Sequence, residues 1–496
     1  MSQINVSNLT FCYEGSYDNI FENVSFQIDT EWKLGFIGRN GRGKTTFLNL
    51  LLGKYEYNGH ISASVTFDYF PFVIPEENKN HNTIDIIEEL YPDYELWKVC
   101  RELTLIEVDA EVLYRPFSTL SNGEQTKVML AVLFSRENQF LLIDEPTNHL
   151  DMPTRDVVKD YLNSKQGFIL VSHDRHFLDS CINHVLVINK ENITVEQGNF
   201  SSWWENKKRQ DEFELSENEK LKKEIKRLNQ SAKTSGDWAD KVESTKIGRD
   251  PNSEKNIGFR SYIGEKSRRM QQRRKNLERR QDQAIEEKSK LLKNIETVDD
   301  LKIIPLSHHK DVLVMSKDLA IYYDDKKITK DLDFSIGNGD RVILQGRNGC
   351  GKSSIIKKIL GQNIETTGTL EIARGLKISY VSQDTSHLKG SLDDFIYNNG
   401  LDETLFKALL RKLDFDRVQF EKTMENYSGG QKKKVLIAKS LCEQAHLYIW
   451  DEPLNFIDIF SRMQIERLIN EFQPTMLLVE HDKVFTENIG TKFVEF

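Results

Sequence analysis

The chain has 496 residues, which is too long for a single hydrophobic core and predicts two or three domains. It is 38% hydrophobic and 29% charged with a formal net charge of −9, a balance typical of a soluble globular protein that does not bind polyanions generally. No apolar run approaches the ~20 residues that span a bilayer, and the first residues lack the pattern of a signal peptide. Five scattered cysteines without a CxxC pair argue against a disulfide framework or zinc cluster and suit the cytoplasm.

The first motif is a phosphate-binding loop of the form GxxxxGK[ST]. Strands are predicted at 4–11, 24–28 and 34–37, and the last of them runs directly into the loop, with a helix predicted after it. In such a loop the backbone N–H groups converge on the β- and γ-phosphates, the lysine adds positive charge, and the next hydroxyl suits Mg²⁺. The loop consists of Gly38, Arg39, Asn40, Gly41, Arg42, Gly43, Lys44, Thr45 and Thr46.

An apolar strand predicted at 140–145 ends in two carboxylates. Asp144 is suited to the Mg²⁺ shell, because a strand end beside the phosphate loop puts an oxygen ligand near the ion. Glu145 is suited to polarise the attacking water. A further apolar strand, predicted at 167–171, precedes His173, which could hydrogen-bond the γ-phosphate. A lone histidine there is more often structural, but the order of the motifs favours the functional interpretation.

The middle of the chain is basic. Residues 207–293 contain 25 Lys and Arg against 16 Asp and Glu, a charge of +9 that leaves −18 for the remainder. Leu221, Ile225 and Leu228 share a helical stripe, so we predict two long helices at about 205–235 and 261–297, joined by a turn at about 235–264. The turn could contact RNA through its cations and aromatic rings, although charged helices are often only solvated and the rings could pack on the partner helix. The candidate RNA-contact residues are Trp238, Lys241, Lys246, Phe259, Arg260 and Tyr262.

The motifs recur after an offset of 307–308 residues, which decides the architecture. A second acidic strand ends in Asp451 and Glu452, and His481 corresponds to His173. We therefore assign Asp451 to Mg²⁺ and Glu452 and His481 to catalysis, like their counterparts in the first repeat. The second phosphate loop consists of Gly346, Arg347, Asn348, Gly349, Cys350, Gly351, Lys352, Ser353 and Ser354, with Ser353 as the magnesium ligand.

Each repeat also contains a segment that resembles the signature sequence of ATP-binding-cassette ATPases, at 120–125 and 427–431. With the phosphate loop, the acidic strand and the histidine, each repeat resembles a complete cassette. The resemblance implies an α/β fold with two P-loop NTPase cassettes, at 1–205 and 306–496, joined by a long α-helical hairpin at 206–305. It also implies ATP hydrolysis, with ATP and Mg²⁺ bound at both sites.

In these ATPases the signature of one cassette completes the ATP site of the other. The resemblance thus implies that Ser428, Gly429 and Gly430 serve the first site and that Ser121 and Gly123 serve the second. It implies Gln383 as a further magnesium ligand, and Tyr13 and Tyr323 as adenine-stacking residues, although Tyr13 could instead be a buried core residue. Two residues differ from the family pattern and put the equal competence of the two sites in doubt. Asn122 stands where the signature normally has a glycine, and Phe72 stands where the first repeat should have the glutamine that Gln383 provides in the second.

Two cassettes without a membrane span resemble the ABC-F family of cytosolic, ribosome-associated ATPases. The short span from Phe72 to Ser121, the long linker and the absence of a basic tail resemble its antibiotic-resistance branch, nearest the Lsa type. The resemblance implies a monomer that pairs its own cassettes and binds the 70S ribosome at the tRNA exit site, near 23S rRNA and the P-site tRNA. It also implies that the linker dislodges lincosamides, pleuromutilins and streptogramin A from the peptidyl-transferase centre and that hydrolysis releases the protein.

Three other functions are weighed against this one. An ABC-F translation factor without a resistance role would leave drug susceptibility unchanged. The ATPase subunit of a membrane exporter would need a coupling surface near the glutamine loop, which Phe72 weakens, and it leaves the hairpin unexplained. A DNA-repair ATPase would place its coiled coil inside one cassette, whereas here the helices lie between two.

Overall fold

The computed structural model describes residues 2–14, 19–148, 150–189, 192–244, 257–290, 301–323 and 326–496. The described residues fall into two compact units. One is drawn from Met1–Ser201 and Val298–Phe496 and contains both repeats, and the other is drawn from Ser202–Thr297. In the described part of the chain, no helix combines the length and apolarity needed to cross a membrane.

The first repeat is an α/β layer with a separate antiparallel sheet. Parallel neighbours β5, β6, β7, β3 and β8 lie in that order, and β9 adds antiparallel to β8, while β2, β1 and β4 form the second sheet. The predicted strands are all present to within a few residues. In chain order the elements are β1 (Gln3–Phe11), β2 (Phe21–Asp29), β3 (Lys33–Ile37), α1 (Lys44–Leu51), β4 (Asn58–Ser62), β5 (Thr66–Phe70), α2 (Thr83–Leu90), α3 (Leu96–Leu105), α4 (Asn122–Phe134), β6 (Gln139–Asp144), α5 (Met152–Asn163), β7 (Phe168–Val171), α6 (Arg175–Cys181), β8 (His184–Ile188) and β9 (Ile193–Gln197), with 3₁₀ turns at Asn78–Asn80, Ala110–Tyr114 and Phe117–Thr119.

The second repeat also combines a parallel sheet with a separate antiparallel sheet. Its parallel sheet has the order β15, β16, β17, β13 and β18, and β10 pairs with β11, β12 and β14 in an antiparallel sheet. The elements are β10 (Val312–Tyr323), β11 (Lys326–Lys327), β12 (Leu332–Gly337), β13 (Arg341–Gln345), α9 (Lys352–Ile359), β14 (Thr366–Ile372), β15 (Ile378–Val381), α10 (Leu392–Asn398), α11 (Glu403–Lys412), α12 (Gly429–Cys442), β16 (Leu447–Asp451), α13 (Ile459–Phe472), β17 (Met476–Val479), α14 (Lys483–Ile489) and β18 (Lys492–Glu495), with 3₁₀ turns at Arg417–Glu421 and Met424–Asn426.

The strand order explains how residues distant in sequence meet at one sheet edge. The strands that carry the phosphate loop, the acidic pair and the histidine are adjacent and parallel, so their carboxyl ends lie together. The apolar residues of these strands are almost fully buried, so the strands lie inside the repeat and only their ends carry polar groups. Phe47 on α1 packs against Phe36 on β3 at a ring-centroid distance of 5.5 Å, which fixes the helix behind the first phosphate loop.

The segment between the repeats forms two helices that are longer at the tip than the sequence predicts. Helix α7 (Phe200–Ser244) and helix α8 (Ile257–Lys290) extend into the predicted turn at 235–264 from both sides. The prediction was wrong because glycine and serine are only weak helix breakers, costing about 1 kcal/mol or less each. The predicted end of the second helix, after residue 290, lies outside the described residues.

The candidate RNA-contact residues fall mainly on these helices. Trp238 and Tyr262 are 60% and 65% exposed, so neither ring is buried against a partner helix. Lys241 lies near the end of α7, Phe259 and Arg260 lie in the first turn of α8, and Lys246 lies outside the described residues.

Candidate active sites

Each phosphate loop connects a buried strand to the start of a helix, β3 to α1 and β13 to α9. The loops end at Gly43 and Gly351 with φ angles of +93° and +101°, and a Cβ atom at Gly43 would lie 2.6 Å from Cγ2 of Ile20. Only glycine adopts this backbone there without strain. The loop N–H groups are therefore held at the positive end of the helix dipole, where they can bind phosphate.

The loop lysines are buried and folded back over their own loops. Lys44 Nζ donates to the carbonyl oxygen of Gly38 at 2.6 Å, and Lys352 Nζ donates to that of Gly346 at 2.8 Å. Burial lowers the pKa of Lys44, and the negative charge of Asp458 from the other repeat opposes this effect most. Both ammonium groups lie where the phosphates of a nucleotide would replace the loop carbonyls as partners.

The candidate metal ligands are one carboxylate and one hydroxyl at each site, with Gln383 in addition at the second site. Thr45 Oγ1 donates to Asp144 Oδ2 at 3.3 Å, and Oδ1 of Asp451 is buried without a hydrogen bond from any described residue. Burial raises the pKa of Asp451 to about 6, although the Ser353 hydroxyl opposes the shift. The described residues hold no group of three or more His, Cys, Asp or Glu that could bind a metal. Magnesium nevertheless fits this sparse set, because it binds one or two carboxylates together with waters and substrate phosphates.

The glutamates after both acidic strands lie beside the predicted histidines. His173 Nε2 lies 3.3 Å from Glu145 Oε1, and His481 Nε2 lies 3.8 Å from Glu452 Oε1. Burial, and then the charge of Asp144, raises the pKa of Glu145 to about 8. Burial and nearby cations lower the pKa of His173 well below its usual value and that of His481 to about 4, so both rings are neutral near pH 7.

The first site is a cavity of about 570 Å³ whose walls come from both repeats. The phosphate loop, acidic strand and histidine of the first repeat face the signature of the second. Asn40 Nδ2 donates to the carbonyl oxygen of Phe456 at 3.0 Å, which joins the two repeats directly. The predicted site residues that line this cavity are Asn40, Gly41, Lys44, Thr45, Asp144, Glu145, His173, Ser428, Gly429 and Gly430.

The second site, a cavity of about 380 Å³, receives a different part of the opposite signature. Asn122 lines it, whereas Ser121 and Gly123 line a separate cavity of about 290 Å³. Asp451 lies in an adjoining cavity that shares Ser353 and Gln383 with this site. The predicted residues that line the second site are Tyr323, Asn348, Gly349, Gly351, Lys352, Ser353, Ser354, Gln383, Glu452 and His481.

The two candidate adenine-stacking tyrosines occupy equivalent positions. Tyr13 is 41% exposed and its hydroxyl lies 2.8 Å from Thr46 Oγ1, while Tyr323 is 46% exposed and its hydroxyl lies 3.1 Å from Ser354 Oγ. Tyr13 therefore is not a buried core residue. Phe11 packs on Tyr13 edge-to-face at 5.1 Å and supports the ring beside the first phosphate loop.

Several other predicted residues have contacts within the loops. The N–H of Arg42 donates to the Arg39 carbonyl at 3.4 Å, and the N–H of Cys350 donates to the Arg347 carbonyl at 3.3 Å. These bonds close equivalent turns in the two phosphate loops. Phe72, at the missing glutamine position, packs edge-to-face on another ring rather than on a polar partner.

Two arginines that sequence reasoning missed donate hydrogen bonds to the segments that contain His173 and His481. Arg155 Nη1 donates to Asp174 Oδ2 and to the carbonyl oxygen of His481, both at 3.0 Å. Arg462 Nη1 donates to Asp482 Oδ2 at 3.0 Å. The two arginines are 307 residues apart, so the repeat offset itself was the signal that could have identified them.

This fold and the paired sites define an ATPase built from two P-loop cassettes. A model of the family described as "ABC transporter" matches residues 21–148 and 329–455, and the chain belongs to that family. It is 28% identical to the ATP-binding protein Uup of Buchnera aphidicola subsp. Acyrthosiphon pisum over 99% of this chain and 80% of that protein. It is 26% identical to the ribosome protection protein VmlR of Bacillus subtilis over 96% of this chain and 83% of that protein. These near-full-length matches support its assignment to the ABC-F group.

Solved structures support the fold. The chain superposes on a structure titled "Model of ribosome-bound archaeal Pelota and ABCE1" with a TM-score of 0.64, at 18% identity, over 99% of this chain and 76% of that one. At this identity the likeness concerns the fold alone, and it confirms the predicted α/β class with two cassettes.

Proposed function

We propose that the protein is a cytoplasmic ABC-F ATPase that binds the drug-stalled 70S ribosome in its ATP-bound form and displaces antibiotics from the peptidyl-transferase centre. The drugs are lincosamides, pleuromutilins and streptogramin A. The observation that carries the proposal is a long basic helical segment placed in sequence between two cassettes that share their ATP sites. The resemblance to VmlR, which is named a ribosome protection protein, supports it.

In this proposal both ATP sites work with the same groups. Lys44 and Lys352 bind the β- and γ-phosphates, while Ser428 and Gly430 cap the γ-phosphate at the first site and the signature residue Asn122 faces the second site. When bound, Mg²⁺ neutralises phosphate charge, and Thr45 with Asp144, or Ser353 with Asp451 and Gln383, would hold it. Each catalytic glutamate, Glu145 or Glu452, orients and polarises the attacking water, while His173 or His481 hydrogen-bonds the γ-phosphate through its neutral ring.

The cavities support a model in which ATP joins the cassettes. Because the walls of the first site include Lys44 on one repeat and Ser428 on the other, a bound γ-phosphate contacts both. The closed form thus has the higher affinity for ATP, and hydrolysis removes that preference. ATP binding can therefore close the two cassettes and hydrolysis can open them again, and neither step requires a membrane partner.

The linker has the dimensions and chemistry for an RNA-binding arm. Helix α7 has 45 residues and α8 has 34, which correspond to roughly 65 and 50 Å at 1.5 Å per residue. The segment 207–293 carries a charge of +9, while the remainder carries −18, so attraction to phosphates is concentrated on the linker. Exposed Trp238 and Tyr262 can stack on unpaired bases of 23S rRNA, beside the P-site tRNA.

A ribosome-trapping experiment tests this function. The double variant Glu145→Gln and Glu452→Gln keeps the phosphate loops but lacks the groups that polarise water, so we expect it to bind ATP and to sediment with 70S ribosomes. The control is Lys44→Met with Lys352→Met, which should remain free because it cannot bind the phosphates. A glutamate double variant that sediments entirely without ribosomes in the presence of ATP and Mg²⁺ contradicts the proposal.

Drug susceptibility separates resistance from a general role in translation. Expression of the wild-type chain in a susceptible host should raise the inhibitory concentration of the three drug classes at least severalfold. Trp238→Ala with Tyr262→Ala should abolish this rise, whereas the matched pair Phe213→Ala and Leu215→Ala, exposed apolar residues elsewhere on α7, should preserve it. Ribosome trapping without any change in susceptibility supports the translation-factor alternative.

A further inference from the structure

The strand next to the first acidic strand carries a tyrosine that contacts the predicted magnesium ligand. Tyr69 lies on β5, which pairs in parallel with β6. Its hydroxyl donates to Asp144 Oδ2 at 2.8 Å, and the same oxygen accepts from Thr45 Oγ1 at 3.3 Å. Tyr69 also lines the first ATP cavity. The shorter of these two bonds, and so the stronger restraint on the carboxylate, comes from the tyrosine.

The second repeat provides an internal comparison. Tyr380 occupies the equivalent position on β15, yet within the described ranges no hydrogen bond joins it to Asp451, and Asp451 Oδ1 is buried without a partner. Gln383, which follows that strand, lines the second ATP cavity beside Ser353. The two sites therefore restrain equivalent carboxylates in different ways.

The first repeat cannot use a glutamine at the corresponding place. Phe72 stands there, and its ring packs edge-to-face on Tyr91 with a centroid distance of 5.6 Å. A phenylalanine offers neither a donor nor an acceptor, so the Phe72 side chain makes no hydrogen bond to the acidic strand. Tyr69 is three residues earlier and already makes that contact.

A metal-binding carboxylate has to present a fixed lone pair to the ion or to its bound water. A buried carboxylate held by a single weak hydrogen bond can rotate, and each rotation away from the productive orientation lowers the affinity for the metal. Hydrogen bonds from residues behind a ligand restrict such rotation, and their removal typically costs 10- to 100-fold in metal affinity.

We propose that Tyr69 is a positioning residue of the first ATP site, whose hydroxyl holds Asp144 toward Thr45 and so sets the magnesium requirement of nucleotide binding. The inference rests on the proposed role of Asp144 and Thr45 in the magnesium shell. It assigns no such role to Tyr380. The two ATP sites consequently differ in how strongly a tyrosine hydroxyl controls their response to Mg²⁺.

The test uses full-length protein in which Lys352→Met restricts nucleotide binding to the first site. Affinity for a fluorescent, non-hydrolysable ATP analogue is measured in EDTA and over a Mg²⁺ titration. Tyr69→Phe should raise about tenfold the Mg²⁺ concentration that gives half of the maximal increase in analogue affinity. It should leave the analogue affinity in EDTA unchanged. The matched control, Tyr380→Phe in the Lys44→Met protein, should change the Mg²⁺ midpoint of the second site less than about twofold.

Each alternative outcome has a distinct meaning. An unchanged Mg²⁺ midpoint for Tyr69→Phe overturns the inference, as does an equal loss of affinity in EDTA, which indicates a structural role or a direct nucleotide contact. Asp144→Asn, measured in the same background, separates this failure from failure of the proposed site. If Asp144→Asn also leaves the Mg²⁺ response intact, the magnesium assignment itself is wrong. Melting curves of the EDTA-treated proteins verify that both tyrosine variants fold.

Discussion

The two phosphate loops share one motif but differ in their contacts with the opposite cassette. Arg39 of the first loop lies 3.4 Å from Asp414 of the second repeat, and its guanidinium carbon lies 5.7 Å from the Phe460 ring centroid. At the second site the equivalent Arg347 is exposed, and Glu107, the counterpart of Asp414, lines a different cavity. Among the described residues, no ion pair joins Arg347 to Glu107.

Smaller contacts extend the same difference. The first loop also bonds through Asn40 to the Phe456 carbonyl, whereas the second loop contacts the other repeat through the Asn348 N–H and Asp151 Oδ2 at 3.3 Å. To separate from the opposite repeat, the first loop must break an ion pair as well as a hydrogen bond. Motif identity alone therefore does not make two ATP sites equivalent, because the residues outside the motifs determine how firmly each site is closed.

The largest expected difference concerns the catalytic glutamates. Glu145 lies closer to its histidine than Glu452 does, and the first site faces a signature with both glycines. We expect Glu145→Gln to lower the steady-state rate of phosphate release by about tenfold and Glu452→Gln by less than about twofold at saturating ATP, because the first site then carries most of the hydrolysis. If the two single variants lose the same fraction of the phosphate-release rate, the two sites contribute equally to hydrolysis. The contact differences between the sites then have no consequence for catalysis.

Removal of the interdomain ion pair should have a moderate effect. Arg39 and Asp414 are partly exposed, with side-chain exposures of 11% and 28%, so their pair contributes at most about 1 kcal/mol after solvent screening. Arg39→Gln should therefore weaken ATP-analogue binding at the first site about fivefold, measured in the Lys352→Met protein. Arg347→Gln in the Lys44→Met protein is the matched variant and should have less than about a twofold effect. High salt should reduce the difference; a salt-independent loss excludes the ion pair as its cause.

The smallest expected effect comes from the altered signature. The side chain of Asn122 lines the second ATP cavity, whereas glycine occupies the equivalent position 429 at the first site. Asn122→Gly should increase the affinity of the second site for the analogue about two- to threefold. The gain is small because glycine also lowers the stability of the signature helix. The reverse variant Gly429→Asn should weaken the first site, since a Cβ there would lie 3.2 Å from Cδ2 of Phe456. Weaker binding on Asn122→Gly instead identifies the asparagine as a ligand contact.

The sequence predicted the elements that follow from local rules. A strand ending at 37 followed by GxxxxGK[ST] specifies the phosphate loop, and the 307–308 residue offset specifies two equivalent cassettes. These predictions succeeded because a motif and its repetition follow from residue type and spacing along the chain alone, and the sheet order then brings the strand ends together.

Contacts between distant segments were not predictable in the same way. The bond from Tyr69 to Asp144 depends on strand register, and the Arg39–Asp414 pair depends on how one cassette meets the other. Neither has a fixed spacing in the sequence. At the linker tip, composition suggested a turn from residue 235 to 264, but α7 extends to Ser244 and α8 begins at Ile257. Propensity is a weak guide there, since long helices tolerate isolated glycines.

The composite first cavity also constrains when the protein becomes active during its synthesis. Lys44 is made early, but Ser428 and Gly430 emerge from the translating ribosome almost four hundred residues later. The nascent N-terminal cassette can fold around its own core well before then, because domains fold as units during translation. It nevertheless lacks the wall that faces its phosphate loop, so a growing chain cannot complete this ATP site until the signature of the second repeat has been made.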